Sequence, residues 1–156
     1  MTNAMRSTLY AAVCVLALGL NNACHAEQIM GVGGKCLDVA HGGTANGTPV
    51  EIWTCGASFP NQRWTLSGDN IAGIGGKCLD VSGGATINGT TVSMWDCKAG
   101  SPNQRWSFSN GQLIGIGHKC LDVAGGNTDN GTVVVLWDCH GGPNQRWSLR
   151  PSVIGP

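Results

Sequence analysis

The chain has 156 residues, a formal net charge of zero and only 12% charged residues, with 25 Gly and six Trp. This balance excludes the polybasic stripe that nucleic acid or an anionic membrane surface requires. Helix signals are absent and Gly, Thr, Val and Asn dominate, so the class read from composition is all-β.

At the front, Arg6 precedes the apolar run Leu9–Leu20 and the polar, small-residue stretch Asn21–Ala26. A charged start, a short apolar middle and a small-residue end read as a secretory signal peptide over residues 1–26, cleaved after Ala26. The apolar run falls short of the roughly 20 residues that span a bilayer. Cys24 raises lipidation as an alternative, but Asn21 and Asn22 stand where a lipidation motif requires apolar and small residues. The remaining residues, 27–156, suit one domain and carry 4 Lys and 4 Arg against 7 Asp and 2 Glu, a net of −1. The expected location is secreted or periplasmic.

From there the elements come in a fixed order. An apolar strand carries "IMGVG", and "KCLDV" follows as a short alternating strand with Cys and Asp on one side and Leu on the other. Asn46-Gly47 is a strong turn signal, since both residues accept positive φ. "VEIW" is the next strand, then a Gly/Pro/Ser loop, then "QRWTL". The whole order then returns twice. "VSMW" and "VVLW" replace "VEIW", Asn88-Gly89 and Asn130-Gly131 replace the turn, and "PNQRW" recurs at Pro60–Trp64, Pro102–Trp106 and Pro143–Trp147. Cys36, Cys78 and Cys120 are spaced by 42, as are Trp53, Trp95 and Trp137. The repeats span approximately 29–70, 71–110 and 111–150. Four strands in each of three repeats make about twelve, and closing them around a three-fold axis removes most exposed sheet edges.

"CLDV", a Trp two residues before the second Cys, and "NQRW", three times in register over Gly31–Leu149, resemble the ricin B-type β-trefoil lectins, the QxW repeat modules. The chain is similar in the same way to xylan- and galactose-binding trefoil modules of bacterial glycosidases. The resemblance implies a β-trefoil that binds sugars through three equivalent sites. These are Asp38/Trp53/Asn61, Asp80/Trp95/Asn103 and Asp122/Trp137/Asn144. Elementary chemistry agrees: an indole stacks under the apolar face of a pyranose, a carboxylate accepts hydroxyl hydrogen bonds, and an amide both donates and accepts. Carboxylates on strands are costly when buried unpaired, so exposed working carboxylates are expected. Gln62, Gln104 and Gln145 are expected to hydrogen-bond inside the fold and orient each Asp, as the resemblance implies. Trp64, Trp106 and Trp147 are read as core. Two residues before the stacking Trp stand Glu51, Ser93 and Val135. In galactose-binding relatives this position helps read the sugar, which adds Glu51 and Ser93 to the sites and leaves the third without that contact.

Of eight Cys, Cys14 and Cys24 leave with the leader. Three-fold symmetry leaves three pairings for the other six: within a repeat, or to either neighbour. The intra-repeat choice, Cys36–Cys55, Cys78–Cys97 and Cys120–Cys139, needs adjacent strands, which the Asn-Gly turn favours. The resemblance implies the same pairing, and an oxidising compartment suits it. Metal-ligand spacings are missing, so no metal and no cofactor is expected. His41 and His140 are read as surface residues. Lys35, Lys77 and Lys119, with Arg63, Arg105 and Arg146, are read as solvated or strand-pairing charges, and the three "NGT" sequons as turns.

An enzyme would need an acid and a base made unequal by their surroundings, whereas triplication makes equals. Asp38 with Glu51 could form a glycosidase pair in one repeat only. The expectation is therefore a non-catalytic lectin for galactosides, xylan or related polysaccharides, without nucleic acid or membrane insertion. The alternative is an adhesive or targeting subunit working with a partner polypeptide such as a toxin or glycosidase.

Overall fold

A computed structural model describes residues 26–151. The expected signal peptide, Ala26 apart, lies outside the described residues.

Twelve strands and short 3-10 turns make up the regular structure of those residues. The first repeat holds β1 (Glu27–Met30), β2 (Lys35–Val39), β3 (Thr48–Thr54) and β4 (Thr65–Ser67). The second holds β5 (Asn70–Ala72), β6 (Lys77–Val81), β7 (Thr90–Asp96) and β8 (Ser107–Ser109). The third holds β9 (Gln112–Ile114), β10 (Cys120–Val123), β11 (Thr132–Trp137) and β12 (Ser148–Pro151). All pairings are antiparallel. Long hairpins β2–β3, β6–β7 and β10–β11 alternate with short ones, β4–β5 and β8–β9. β12 closes on β1 with Ile29 opposite Leu149. At the centre β3, β7 and β11 each pair with the other two. This is the β-trefoil that the triplicated sequence implies.

Two strand readings shift. The segments "GVGG" and "GIGG" do not extend the first strand of a repeat; they form 3-10 turns, Val32–Gly34 and Ile74–Gly76. Cys36, Leu37, Asp38 and Val39 are all buried, so "KCLDV" is covered on both faces instead of alternating with solvent. The reason is tertiary: β2 is overlaid by the Pro60–Gln62 turn as well as by the core.

Trp64, Trp106 and Trp147 are 0%, 5% and 3% exposed, confirming them as core. Each indole N–H donates to a backbone carbonyl of its own repeat, that of Leu37, Leu79 or Leu121, at 3.0 Å. Each ring meanwhile lies against the next repeat. A Cβ at Gly73 would stand 2.9 Å from the Trp64 ring, and one at Gly115 or Gly31 would stand 2.8 or 2.6 Å from Trp106 or Trp147. Only glycine fits there, and the QxW tryptophans thus interlock the repeats cyclically.

The Asn-Gly turns differ from the hairpin turns expected. Only the glycines take positive φ (89°, 88° and 87° at Gly47, Gly89 and Gly131), so each is the third residue of a type II-like turn inside a longer connection. The asparagine side chains reach the neighbouring repeat. Asn46 Oδ1 accepts from the Asp96 N–H at 2.9 Å and from Lys77 Nζ at 2.8 Å, while its Nδ2 donates to Asp96. Asn88 repeats this with Asp138 and Lys119. Asn130 accepts from the Thr54 N–H and Lys35. The recurring lysines, read as merely solvated or strand-pairing, therefore belong to seam latches. Lys77 pairs with Asp96 and Lys119 with Asp138, and those hydrogen bonds hold both carboxyls below the usual aspartate range.

The disulfides are Cys36–Cys55, Cys78–Cys97 and Cys120–Cys139, each with a separation of 19. The intra-repeat pairing holds because Cys36 and Trp53 are cross-strand partners, which brings Cys55 alongside.

Candidate functional site

In each repeat the long hairpin and the "PNQ" turn converge. Pro60 opens a one-turn 3-10 helix, a position where its fixed φ is favourable and no N–H is needed. That turn sends Asn61 and Gln62 back across β2. Asn61 Nδ2 donates to Asp38 Oδ1 and Gln62 Nε2 to Asp38 Oδ2, both at 2.8 Å. Gln62 also donates to the Thr54 carbonyl at 3.0 Å and accepts from the Gly56 N–H at 2.9 Å, so its amide is fixed at both ends.

The second and third repeats copy the arrangement. Asn103 and Gln104 both donate to Asp80 Oδ2 at 2.8 Å. Asn144 and Gln145 donate to Asp122 at 3.0 and 2.8 Å. Gln62, Gln104 and Gln145 are buried, as expected of supports. The expectation of exposed carboxylates is corrected: Asp38, Asp80 and Asp122 are only 2%, 4% and 3% exposed. Their burial is tolerated because two amide donors meet each carboxylate. Burial raises the Asp38 carboxyl above its ordinary range, against the pull of Gln62, Asn61 and His41.

Beside each aspartate an indole stands free. Trp53, Trp95 and Trp137 are 38%, 47% and 41% exposed, large for tryptophan. Each ring edge lies 3.7–3.8 Å from where a Cβ would stand on a neighbouring repeat's turn glycine: Gly131, Gly47 and Gly89 respectively. Each exposed indole is thus braced at its edge by another repeat, which no single-repeat reading could have found.

The clefts differ. Around Asp80, a cavity of about 480 Å³ is lined by Ser93, Trp95, Lys98 and Asn103, by Gly47 and Pro49 of the first repeat, and by Val133 and Val134 of the third. Around Asp38, a cavity of about 210 Å³ is lined by His41, Glu51, Trp53, Phe59 and Asn61. Glu51 and Ser93, like Val135, are themselves buried, and each stands directly opposite its repeat's aspartate in the ladder. In the third repeat His140 Nε2 lies 3.5 Å from Asp122, while its Nδ1 accepts from the Gly142 N–H. His140 is therefore a neighbour of the aspartate, not a plain surface residue. Its position, directly after the second Cys, is Lys98 in the second repeat and Gly56 in the first. That alignment was the available signal for both residues.

No group of three or more His, Cys, Asp or Glu among the described residues is arranged to hold a metal, and none of their helices is long and apolar enough to cross a membrane.

The chain matches the ricin-type β-trefoil lectin domain over residues 25–147. Nigrin b of Sambucus nigra is 43% identical over 44 residues, which is 28% of this chain and 8% of that protein. The alignment therefore spans under a tenth of that relative. A designed three-fold symmetric protein, ThreeFoil, superposes with a TM-score of 0.73 at 28% identity, covering 80% of this chain and 97% of its own. The agglutinin from Abrus precatorius superposes at 0.70 with 27% identity, over 80% of this chain and 48% of that one.

Proposed function

Because the chain belongs to the ricin-type β-trefoil lectin family, we propose that it is an exported, non-catalytic lectin with three sugar sites for galactosides, xylan or related glycans. One observation carries this reading. An exposed indole stands beside a buried aspartate whose oxygens are pre-aimed by two amides, and the set occurs three times. A pyranose stacked on Trp95 would direct its hydroxyls to Asp80 and Asn103, with Ser93 on the flank. Desolvated, pre-aimed acceptors of this kind cost little to organise at binding.

Single shallow sites bind weakly, and a millimolar constant is about −4 kcal/mol. Three on one rigid body raise the avidity for a polysaccharide when its repeats reach more than one site. A catalytic reading finds little support, since a second carboxylate faces the aspartate only in the first repeat. The Abrus agglutinin chain is about twice the length of the matching region, which keeps a partner domain or subunit as the second reading.

The test is a glycan and polysaccharide screen of the chain beside Trp53→Ala, Trp95→Ala and Trp137→Ala. Stepwise loss of binding with intact folding supports three working sites. Absence of binding to every glycan by the folded chain rejects the lectin reading and turns attention to a protein partner.

A further inference from the structure

Three of the positions at which the first repeat departs from the other two line one cavity. Glu51 replaces Ser93 and Val135, His41 replaces Gly83 and Gly125, and Phe59 replaces Ser101 and Gly142. Glu51 is the most telling. It is 9% exposed, and its carboxylate makes no hydrogen bond or ion pair with any described residue. It stands directly opposite Asp38 in the β2–β3 ladder, and such partners share a face. Like charges so placed are destabilising. The amides of Asn61 and Gln62 serve Asp38 and leave Glu51 bare.

A cleft-lining carboxylate with no hydrogen bond of its own, directly opposite a second carboxylate, favours a positively charged ligand. Inside the chain the cation at hand is His41, which lines the same cavity and whose charge favours both carboxylates from a distance, without forming a direct ion pair with either. A neutral sugar can donate to Glu51 without compensating its charge. A protonated amine does both, with up to three donors. The flanking aromatics, Trp53 and Phe59, are 38% and 42% exposed and would add cation–π attraction to the same ligand. Neither of the other two aspartates faces a second carboxylate, since Ser93 and Val135 stand opposite them. Lys98 lines the second cleft, and His140 lies against Asp122 in the third.

We propose that the first cleft is a subsite for cationic sugars: hexosamines carrying a free, protonated amine, held between the Glu51 and Asp38 carboxylates against Trp53 and Phe59. This rests on the lectin reading above and assigns a charge class of ligand to one of its three sites.

The experiment is a titration of the full chain near pH 6 with galactosamine, glucosamine, their N-acetyl forms and the parent hexoses. The indole N–H signals of Trp53, Trp95 and Trp137 in NMR spectra report each site separately. The expected result is binding of the free-amine sugars at Trp53 about tenfold or more tighter than of the N-acetyl forms or hexoses. That preference should be missing at Trp95 and Trp137, and abolished by Glu51→Ser, the residue of the second repeat, and by Glu51→Gln. Equal affinities at Trp53, or a preference that survives Glu51→Ser, would overturn the inference. If hexoses still bind at Trp95 in that case, the lectin reading stands alone. Silence of all three indoles with every sugar and with polysaccharide would sink both.

Discussion

Trp53 and Trp64 belong to one repeat, yet the first is 38% exposed on a cleft and the second fully buried with its N–H bonded to Leu37. Substitution should separate these roles. Trp95→Ala should abolish sugar binding at the second site while shifting unfolding by less than about 1 kcal/mol, as usual for surface changes. Trp106→Ala should cost about 3–5 kcal/mol, the range for deleting a core aromatic; urea unfolding distinguishes the two. Glu51 makes a different case. Burial chiefly, then the Asp38 charge, raises its carboxyl above the ordinary value of 4.5, so the folded state holds that proton more tightly than the unfolded chain does. Its ionised form therefore costs stability as pH rises above 4.5, and nothing below. Glu51→Gln should stabilise the domain by on the order of 1 kcal/mol at neutral pH. The gain should fade on acidification to pH 4, as read from melting temperatures.

At the scale of elements, the latches between repeats decide how the hairpins hold together. Asn46 and Asn88 each bind an Asp–Lys pair of the next repeat, whereas Asn130 meets Thr54 in place of an aspartate. Asn46→Ala should lower the melting temperature by about 4 °C, the shift that a loss of about 1 kcal/mol produces in a domain of this size. Asp96 sits below its ordinary value of 3.8 because Lys77 and Asn46 hydrogen-bond its carboxylate. Its contribution is thus complete above pH 3.8 and lost as pH falls below that value. The deficit of Asn46→Ala should accordingly narrow under strong acid. The Asn130 seam, with no aspartate in it, should show no such acid dependence; thermal melts of Asn130→Ala against pH check this.

For the molecule as a whole, each disulfide closes a separation of 19 residues and stabilises by about 3 kcal/mol. Three together rival the 5–15 kcal/mol of a typical domain. Full reduction should leave the chain without a cooperative folding transition at 25 °C, measured by near-ultraviolet circular dichroism of its tryptophans. A domain in this position suits an oxidising compartment, in line with the exported role proposed for it.

The three-fold repeat and the core tryptophans were legible in the chain, because each depends on spacing that recurs within one repeat, while the trefoil and the intra-repeat cysteine pairing were what the family resemblance implied. The family resemblance singled out the aspartate, asparagine and glutamine that hydrogen-bond together in each repeat. Other features were decided between repeats. Burial of Asp38 depends on the turn folded over β2, and the bracing of Trp53 on Gly131 of the third repeat. The Asn46 latch depends on where Asp96 arrives. A local pattern records which residues an element contains, but contacts across the three-fold axis arise only when β3, β7 and β11 pair. Closure around that axis set each exposed indole against another repeat's turn, whereas the charges that distinguish the sites, Glu51, Lys98 and His140, were already written in the sequence.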